Sequence, residues 1–313
     1  MNNYHTPVLA EQCVGYLNPH SGGIYVDATL GGGGHSLAIL QKCPDIHLFG
    51  FDQDEEAIQR SMDVLKDYAD RLEAIKANFS RLRTELALRK VKTIDGVIFD
   101  LGVSSHQLDT KERGFSFDDE APLDMRMDQS QDYTAGDAVN GLDQKELTRI
   151  FRDYGEERNA ARIARKIVGR RGENPIRTTG DLARIIESVA GAGTRESLKT
   201  KVRIFQSLRI YVNFELEVLE PALMDAINIL KPGGRIVVLS YHSLEDRVVK
   251  NIFRTAATGC VCPPWVIDCV CGEKTRLRLL NKKPLTAQPA EVGNNVRSRS
   301  VKLRAAEKIK GES

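Results

Sequence analysis

Four consecutive glycines, Gly31 to Gly34, sit inside the run Asp27-Ala28-Thr29-Leu30-Gly31-Gly32-Gly33-Gly34-His35. An apolar stretch (Ile24, Tyr25, Val26) precedes this run and a helix-like segment (Ser36, Leu37, Ala38, Ile39, Leu40) follows it. Glycine adopts backbone angles closed to residues with a Cβ, so such a loop turns sharply and lets a ligand approach the main chain. The helix that follows points free N–H groups and the positive end of its dipole at that ligand. Strand, glycine turn and helix start together read as a nucleotide-type cofactor site, although a merely tight βα turn would use the same glycines.

Three further positions narrow the cofactor. Asp52 ends the second apolar run, where a carboxylate accepts hydrogen bonds from ribose hydroxyls; Asp54 reads instead as a charge at a helix N-terminus. Gly-x-Gly-x-x-Gly is incomplete, because Gly31-x-Gly33 is followed by Ser36, and a Walker lysine is absent. S-adenosylmethionine is therefore favoured over a dinucleotide, with a nicotinamide-dependent oxidoreductase as the rival reading. Phe79, closing the third run, suits either an adenine face or the core. Asp100 closes the fourth run, and a carboxylate at the carboxyl end of a parallel strand lies in the ligand crevice, unless it serves a turn or a cap.

The elements that must position these groups alternate. Strands are expected at 24–28, 47–51, 72–77 and 96–99, with helices at 36–42, 55–68 and 81–89, a pattern that implies a parallel sheet with right-handed crossovers. The alternation then stops, resuming with a helix at 214–230 and a fifth strand at 235–240, followed by a helix at 245–254. The intervening hundred residues are polar and helix-like. Asp143-Gln144-Lys145-Glu146 reads as a capping box, followed by Leu147, Ile150, Phe151 and Tyr154 at helical spacing. A structureless connection of that length is disfavoured, so residues 109–212 are expected to form an inserted helical domain between 1–108 and 213–313. Near the end, Arg297, Arg299, Val301 and Leu303 alternate as the face of a strand.

The net charge of +2 hides segregation. Asp95 to Asp143 holds twelve acids against three bases, Lys145 to Arg209 sixteen bases against eight acids, and the segment from Val270 onward eleven bases against four acids. Blocks of positive charge suit a polyanionic partner, since counterion release from phosphates drives such binding; solvated helix faces are the plainer alternative. With no apolar run near the ~20 residues of a membrane helix and no signal-like start, no membrane partner and a cytoplasmic location are expected. Of the six cysteines, Cys13 and Cys43 stand alone. Cys260-x-Cys262 and Cys269-x-Cys271 form a metal or redox pattern, but knuckle ligands are usually two to four residues apart, so zinc and reduced thiols both stay open and no metal ligand is assigned.

Longer motifs carry a resemblance. They are Asp27-x-Thr29 with Gly33-Gly34-His35, Asp100-Leu101-Gly102-Val103-Ser104-Ser105-x-Gln107-Leu108-Asp109, Arg113-Gly114-Phe115-Ser116-Phe117 and Pro122-Leu123-Asp124-Met125-Arg126-Met127-Asp128. Tyr154-Gly155-Glu156-Glu157-Arg158, Arg209-Ile210-x-Val212-Asn213-x-Glu215-Leu216 and Ser240-Tyr241-His242-Ser243-Leu244-Glu245-Asp246-Arg247 follow in order. In these the chain resembles the bacterial methyltransferases that act on N4 of a decoding-centre cytosine in 16S rRNA, from His5 to the tail. The resemblance implies an α/β class I (Rossmann-like) S-adenosylmethionine-dependent methyltransferase with an inserted all-helical domain. It also implies cofactor contacts from Gly33, Gly34, His35, Asp52, Phe79, Asp100 and Gln107. His106 departs from the proline of many relatives, in the loop that carries Gln107.

If that resemblance holds, the reaction moves a methyl from a sulfonium to an exocyclic amine conjugated with its ring, a poor nucleophile. The site must hold the amine in line with the methyl and accept its hydrogen bonds as charge develops. Amino-methyltransferases often place Asp/Asn/Ser-Pro-Pro-aromatic after the fourth strand; here that slot is Asp100-Leu-Gly-Val-Ser-Ser. Asp100, the serines or His242 are then the candidate acceptors, His242 having a structural alternative. Cys262-Pro263-Pro264-Trp265 imitates the missing motif but lies beyond the fifth strand. No cysteine closes the fourth strand as a covalent mechanism would need, so direct transfer is expected. A base in folded RNA must swing out to react. Arg162, Arg165, Lys166, Arg170, Arg171, Lys199, Lys201 and Arg203 are candidate phosphate contacts. A non-catalytic RNA-binding assembly factor is the other alternative, and a homodimer is one arrangement left open.

Overall fold

A computed structural model describes residues 7–117, 120–259, 262–263, 265–268, 271 and 274–310. Seven strands form one sheet: β1 Ile24–Asp27, β2 His47–Asp52, β3 Leu72–Lys76, β4 Ile94–Asp100, β5 Leu230–Ser240, β6 Leu277–Leu279 and β7 Lys302–Lys308. Helices α1 Ala10–Leu17, α2 Gly34–Lys42, α3 Glu55–Val64 and α4 Leu82–Leu88 surround the first four strands in sequence. Then come α5 Ser105–Asp109, α6 Ala135–Gly141, α7 Gln144–Asp153, α8 Ala160–Arg171, α9 Thr179–Ala190 and α10 Arg195–Asn213. The chain closes with α11 Glu215–Ile229, α12 Ser243–Thr258 and α13 Pro289–Asn294.

The strand order is β3-β2-β1-β4-β5-β7-β6. β3, β2, β1, β4 and β5 run parallel, and β7 pairs antiparallel with both β5 and β6. The five parallel strands are those the alternation implies, the antiparallel β7 and β6 extend them, and the whole is the α/β Rossmann-like architecture implied by the resemblance. It places a topological switch between β1 and β4, where ligands bind beyond the carboxyl ends of strands. Both faces of the sheet are covered. Val26, Phe99 and Val238 pack with α4, α11 and α12 through Leu82, Leu223 and Phe253. Their neighbours Tyr25, Ile98 and Val237 pack with α1 and α2 through Leu17 and Ile39. Adjacent residues of a strand face opposite ways, so burial on both faces demands continuous apolar runs rather than alternation.

The chain divides into two compact units, Met1–Gly102 with Leu216–Ser313, and Val103–Glu215. The second therefore starts six residues before and ends three after the break placed at 109–212. Its own core joins Leu147, Ile150 and Phe151 of α7, Ile163 and Ile167 of α8, Leu182 and Ile186 of α9, and Ile204 and Leu208 of α10. Among its described residues no strand forms, only an isolated bridge between Pro122 and Thr178. The Asp143 side chain accepts from Glu146 N–H at 2.8 Å and starts α7 where the sequence places it.

Two expectations fail locally. α2 begins at Gly34, not Ser36, because Gly33 at φ 77 supplies the turn one residue earlier. Arg297 and Arg299 do not lie in a strand but in a 3₁₀ turn, Val296–Ser300, with β7 starting only at Lys302. Asn295 nucleates that turn: its side chain accepts from Arg297 N–H at 3.2 Å, and its carbonyl accepts from Ser298 Oγ at 2.7 Å. Cys260 and Cys269 lie outside the described residues, and with them the four-cysteine pattern.

Candidate functional site at the carboxyl ends of β1, β2 and β4

Asp27, the last residue of β1, is almost fully buried. One carboxylate oxygen accepts from Ser36 Oγ on α2 at 2.7 Å and the other from Thr29 N–H at 3.1 Å. Burial raises its pKa, against His35 and these two donors, which favour the carboxylate. Asp27 therefore ties both ends of the glycine loop to its strand. Thr29 in turn accepts from the Asp100 backbone N–H through Oγ1 at 2.7 Å, joining that loop to the end of β4. Gly31 and Gly33 both have positive φ, 50 and 77, where a Cβ would be strained. No side chain caps α2, so its first amides rely on another partner.

Asp52 closes β2 and reaches the same loop. Its Oδ2 accepts from Gly31 N–H at 2.8 Å and its Oδ1 from Asp54 N–H at 2.9 Å. Burial raises its carboxyl to about 6, with the two N–H donors opposing. Asp54 caps α3 by accepting from Glu56 N–H, which agrees with its reading as a helix N-terminal residue. Phe79, half-buried after β3, meets Phe99 edge to face with ring centroids 5.7 Å apart. One end of its ring is thus packed on the core while part of it stays accessible.

Asp100 is the meeting point. Its Oδ1 accepts from the Tyr241 hydroxyl at 2.7 Å and its Oδ2 lies 3.3 Å from His35 Nε2, at an angle outside hydrogen-bond geometry. The carboxylate keeps 27% of its surface exposed, against 6% for His35. Burial disfavours a charged His35, yet the Asp100 and Asp27 carboxylates outweigh it and raise the imidazole pKa. His35 Nδ1 has no hydrogen-bond partner among the described residues. Tyr241 is held protonated by burial and then by Asp100, which keeps it a donor.

His242 sits beside this group as the N-cap of α12. Its side chain accepts from Glu245 N–H at 3.4 Å, while Glu245 Oε2 accepts from the Tyr241 and His242 N–H groups at 2.8 and 3.3 Å. That capping box fixes the turn from which Tyr241 reaches Asp100. Gln107 belongs to the second unit, where it is buried and forms the capping box of α5 with Ser104. His106 is one residue earlier in that helix, its Nδ1 3.2 Å from Thr110 Oγ1.

An S-adenosyl group suits this arrangement. The uncapped α2 terminus, the left-handed glycine loop, the Asp52 carboxylate, the accessible Phe79 and the orphaned His35 Nδ1 offer partners to the polar and aromatic parts of such a molecule. Spacing in the sequence located the glycine loop, Asp52 and Asp100. It missed Thr29, Ser36 and Tyr241 as ties; a hydroxyl just after a strand or in the first turn of α2 was the available signal, and it is too common to single out.

The candidate phosphate contacts divide. Arg170 pairs with Glu173 at 2.6 Å, Lys201 with Glu187 at 2.9 Å, Arg203 with Glu157 at 3.2 Å, and Arg171 donates to the Val139 carbonyl at 2.7 Å. Arg162, Arg165, Lys166 and Lys199 are exposed and in no ion pair among the described residues. Several motif residues are architectural instead. Buried Arg113 donates to the carbonyls of Arg126 and Met127, each at 3.0 Å. Asn213 accepts from Met127 N–H at 2.7 Å and donates to the carbonyls of Met125 and Arg209, each at 2.8 Å.

A model of the MraW methylase family matches residues 2–309. The chain is 51% identical over 308 residues to the ribosomal RNA small subunit methyltransferase H of Citrifermentans bemidjiense, covering 98% of this chain and 99% of that protein. The like-named protein of Geotalea uraniireducens is 50% identical over 308 residues, with the same two coverages. That of Carboxydothermus hydrogenoformans is 49% identical over 306 residues, covering 97% of this chain and 98% of its own length.

Proposed function

Because the chain belongs to the MraW methylase family, we propose that it transfers the methyl group of S-adenosylmethionine to N4 of a decoding-centre cytosine in 16S rRNA. The observation that carries this reading is the near-complete coverage by relatives of that name, together with a glycine loop tied to Asp27, Asp52 and Asp100.

Asp52 and the loop amides would hold S-adenosylmethionine, with Phe79 against its base, and the bound sulfonium would supply an electrophilic methyl. Attack by the cytosine amine would form a C–N bond as the C–S bond breaks with its electrons staying on sulfur, and the proton then shed by the amine would pass to water. Asp100 accepts hydrogen bonds from the amine as positive charge grows on it, which favours the transition state over the ground state. Tyr241 holds the Asp100 carboxylate at 2.7 Å in one orientation, so little reorganisation is needed at the moment of reaction. His242 has the geometry of a cap, and its part is to fix the Tyr241 turn rather than to take the proton. Unit Val103–Glu215 engages the RNA, with Gln107 stabilising its first helix. Among the described residues no helix is long and apolar enough to cross a membrane. The names of the relatives support action on the small ribosomal subunit, and with it a cytoplasmic location.

Incubating assembled small subunits with methyl-labelled S-adenosylmethionine tests this reading. Wild type should label one cytosine of 16S rRNA and Asp100→Ala should not. No incorporation by wild type removes the enzyme reading and leaves an assembly factor; quenching of Trp265 fluorescence by NADH, with none by S-adenosylmethionine, would restore the oxidoreductase.

A further inference from the structure

A groove of about 790 Å³ opens on the second unit between α8 and α9. Five cations line it, Arg162, Arg165, Lys166, Arg170 and Arg184, against the carboxylates Glu173 and Asp181. Arg170 is spent on Glu173 at 2.6 Å, and Arg184 on Asp181 at 2.8 Å and Glu120 at 2.9 Å. The surplus is Arg162, Arg165 and Lys166, which lie in no ion pair among the described residues. Their spacing of i, i+3 and i+4 puts them on one face of α8, about 5–6 Å apart at Cβ. Gly169 continues that face with no side chain, and a Cβ built there would meet nothing within 4 Å, so the groove stays open beyond Lys166. Behind the cations, Ile163 and Ile167 are fully buried and hold α8 in place.

From this we propose that the α8–α9 groove is a docking site for the sugar-phosphate backbone of RNA, a claim that rests on RNA being the substrate. Three unpaired cations on a fixed helix face match the charge of consecutive phosphates. No aromatic side chain lines the groove, whereas readers of unstacked bases stack them on Phe, Tyr, Trp or His. The groove therefore grips the chain without reading its sequence. An acidic protein segment is the competing occupant.

The test uses the full chain, a fluorescently labelled RNA hairpin, and the triple variant Arg162→Gln, Arg165→Gln, Lys166→Gln. Anisotropy titrations across a fourfold range of KCl give the salt slope. Each phosphate contact contributes about 0.9 to that slope, so loss of three should flatten it by about 2.7 and remove roughly a fortyfold salt effect. Hairpins of shuffled sequence should lose affinity equally, and S-adenosylmethionine affinity should stay unchanged. The variant Arg162→Lys, Arg165→Lys keeps the charge and should keep the slope. An unchanged slope in the Gln variant, a loss confined to one RNA sequence, or a loss in the Lys variant as well would each overturn the proposal. So would loss of polyglutamate binding with RNA binding intact. None of these readouts involves methyl transfer, so failure of the catalytic reading shows separately, as unlabelled subunits.

Discussion

Acidification should weaken S-adenosylmethionine binding through a single carboxylate, Asp52. Burial raises its pKa to about 6 in the free protein. A hydroxyl pair that donates to this group binds the ionised form and so pulls the pKa back down when the site is filled. At about pH 7.5 nearly all of the free protein carries the carboxylate, whereas at about pH 5 only about one-tenth does. The dissociation constant should therefore rise roughly tenfold over that interval, about 1.4 kcal/mol, and level off above about pH 7. Stability of the free protein moves the other way. A raised acid pKa contributes stability that is complete below the unfolded value near 3.9 and is lost as the pH climbs through about 6. Isothermal titration calorimetry from pH 5 to 8, on wild type and Asp52→Asn, separates these effects. The variant should bind weakly at every pH with the slope gone, because one N–H donor, from Gly31 or Asp54, would face the new amide NH₂. A wild-type constant that holds within twofold across the range refutes the reasoning. A slope that survives in Asp52→Asn refutes it equally, and moves the titration to His35.

Three further outcomes follow from particular contacts. Tyr241→Phe removes only the hydroxyl that holds Asp100, and since hydrogen bonds to charged groups contribute about 1.5–3 kcal/mol, methyl transfer should fall about tenfold or more and the melting temperature should drop by a few degrees. Asn213→Ala strands the Met127 N–H and the Met125 and Arg209 carbonyls, and should cost about 2–3 kcal/mol in denaturant unfolding of the second unit. Gly114→Ala should cost at least that much, about 3 kcal/mol by the same measurement, because φ is 69 and the new Cβ would lie 2.3 Å from the Pro122 carbonyl oxygen.

The parallel half of the sheet was legible because its strands are buried on both faces and read as short unbroken apolar runs, such as Val97-Ile98-Phe99. The tail was not. Arg297, Arg299, Val301 and Leu303 alternate as a strand should, but Asn295 competes through its side chain and winds the first of them into a turn. Within the site, residues that close strands were visible, since the carboxyl ends of parallel strands face the ligand crevice. Tyr241 and His35 were visible only as members of motifs. Their contacts with Asp100 join residues far apart in sequence, and no periodicity records such a pair. The unit boundary at Gly102 rather than Leu108 has a similar origin: the Ser104–Gln107 box starts a helix that belongs to the second core.

β4 pairs with β5 from Gly96 to Asp100, yet β5 begins only at Leu230, after the whole of the second unit has been made. At about 5–20 residues per second, translation leaves the outer edge of β4 open for on the order of ten seconds. An open edge of Val97, Ile98 and Phe99 is the kind that recruits strands from other chains. The second unit has its own core, so it can fold during this wait and shorten the flexible span that β5 must close. The strand that carries Asp100 is thus left aggregation-exposed in the nascent chain, and slowing synthesis within residues 103–229 should lower the soluble yield.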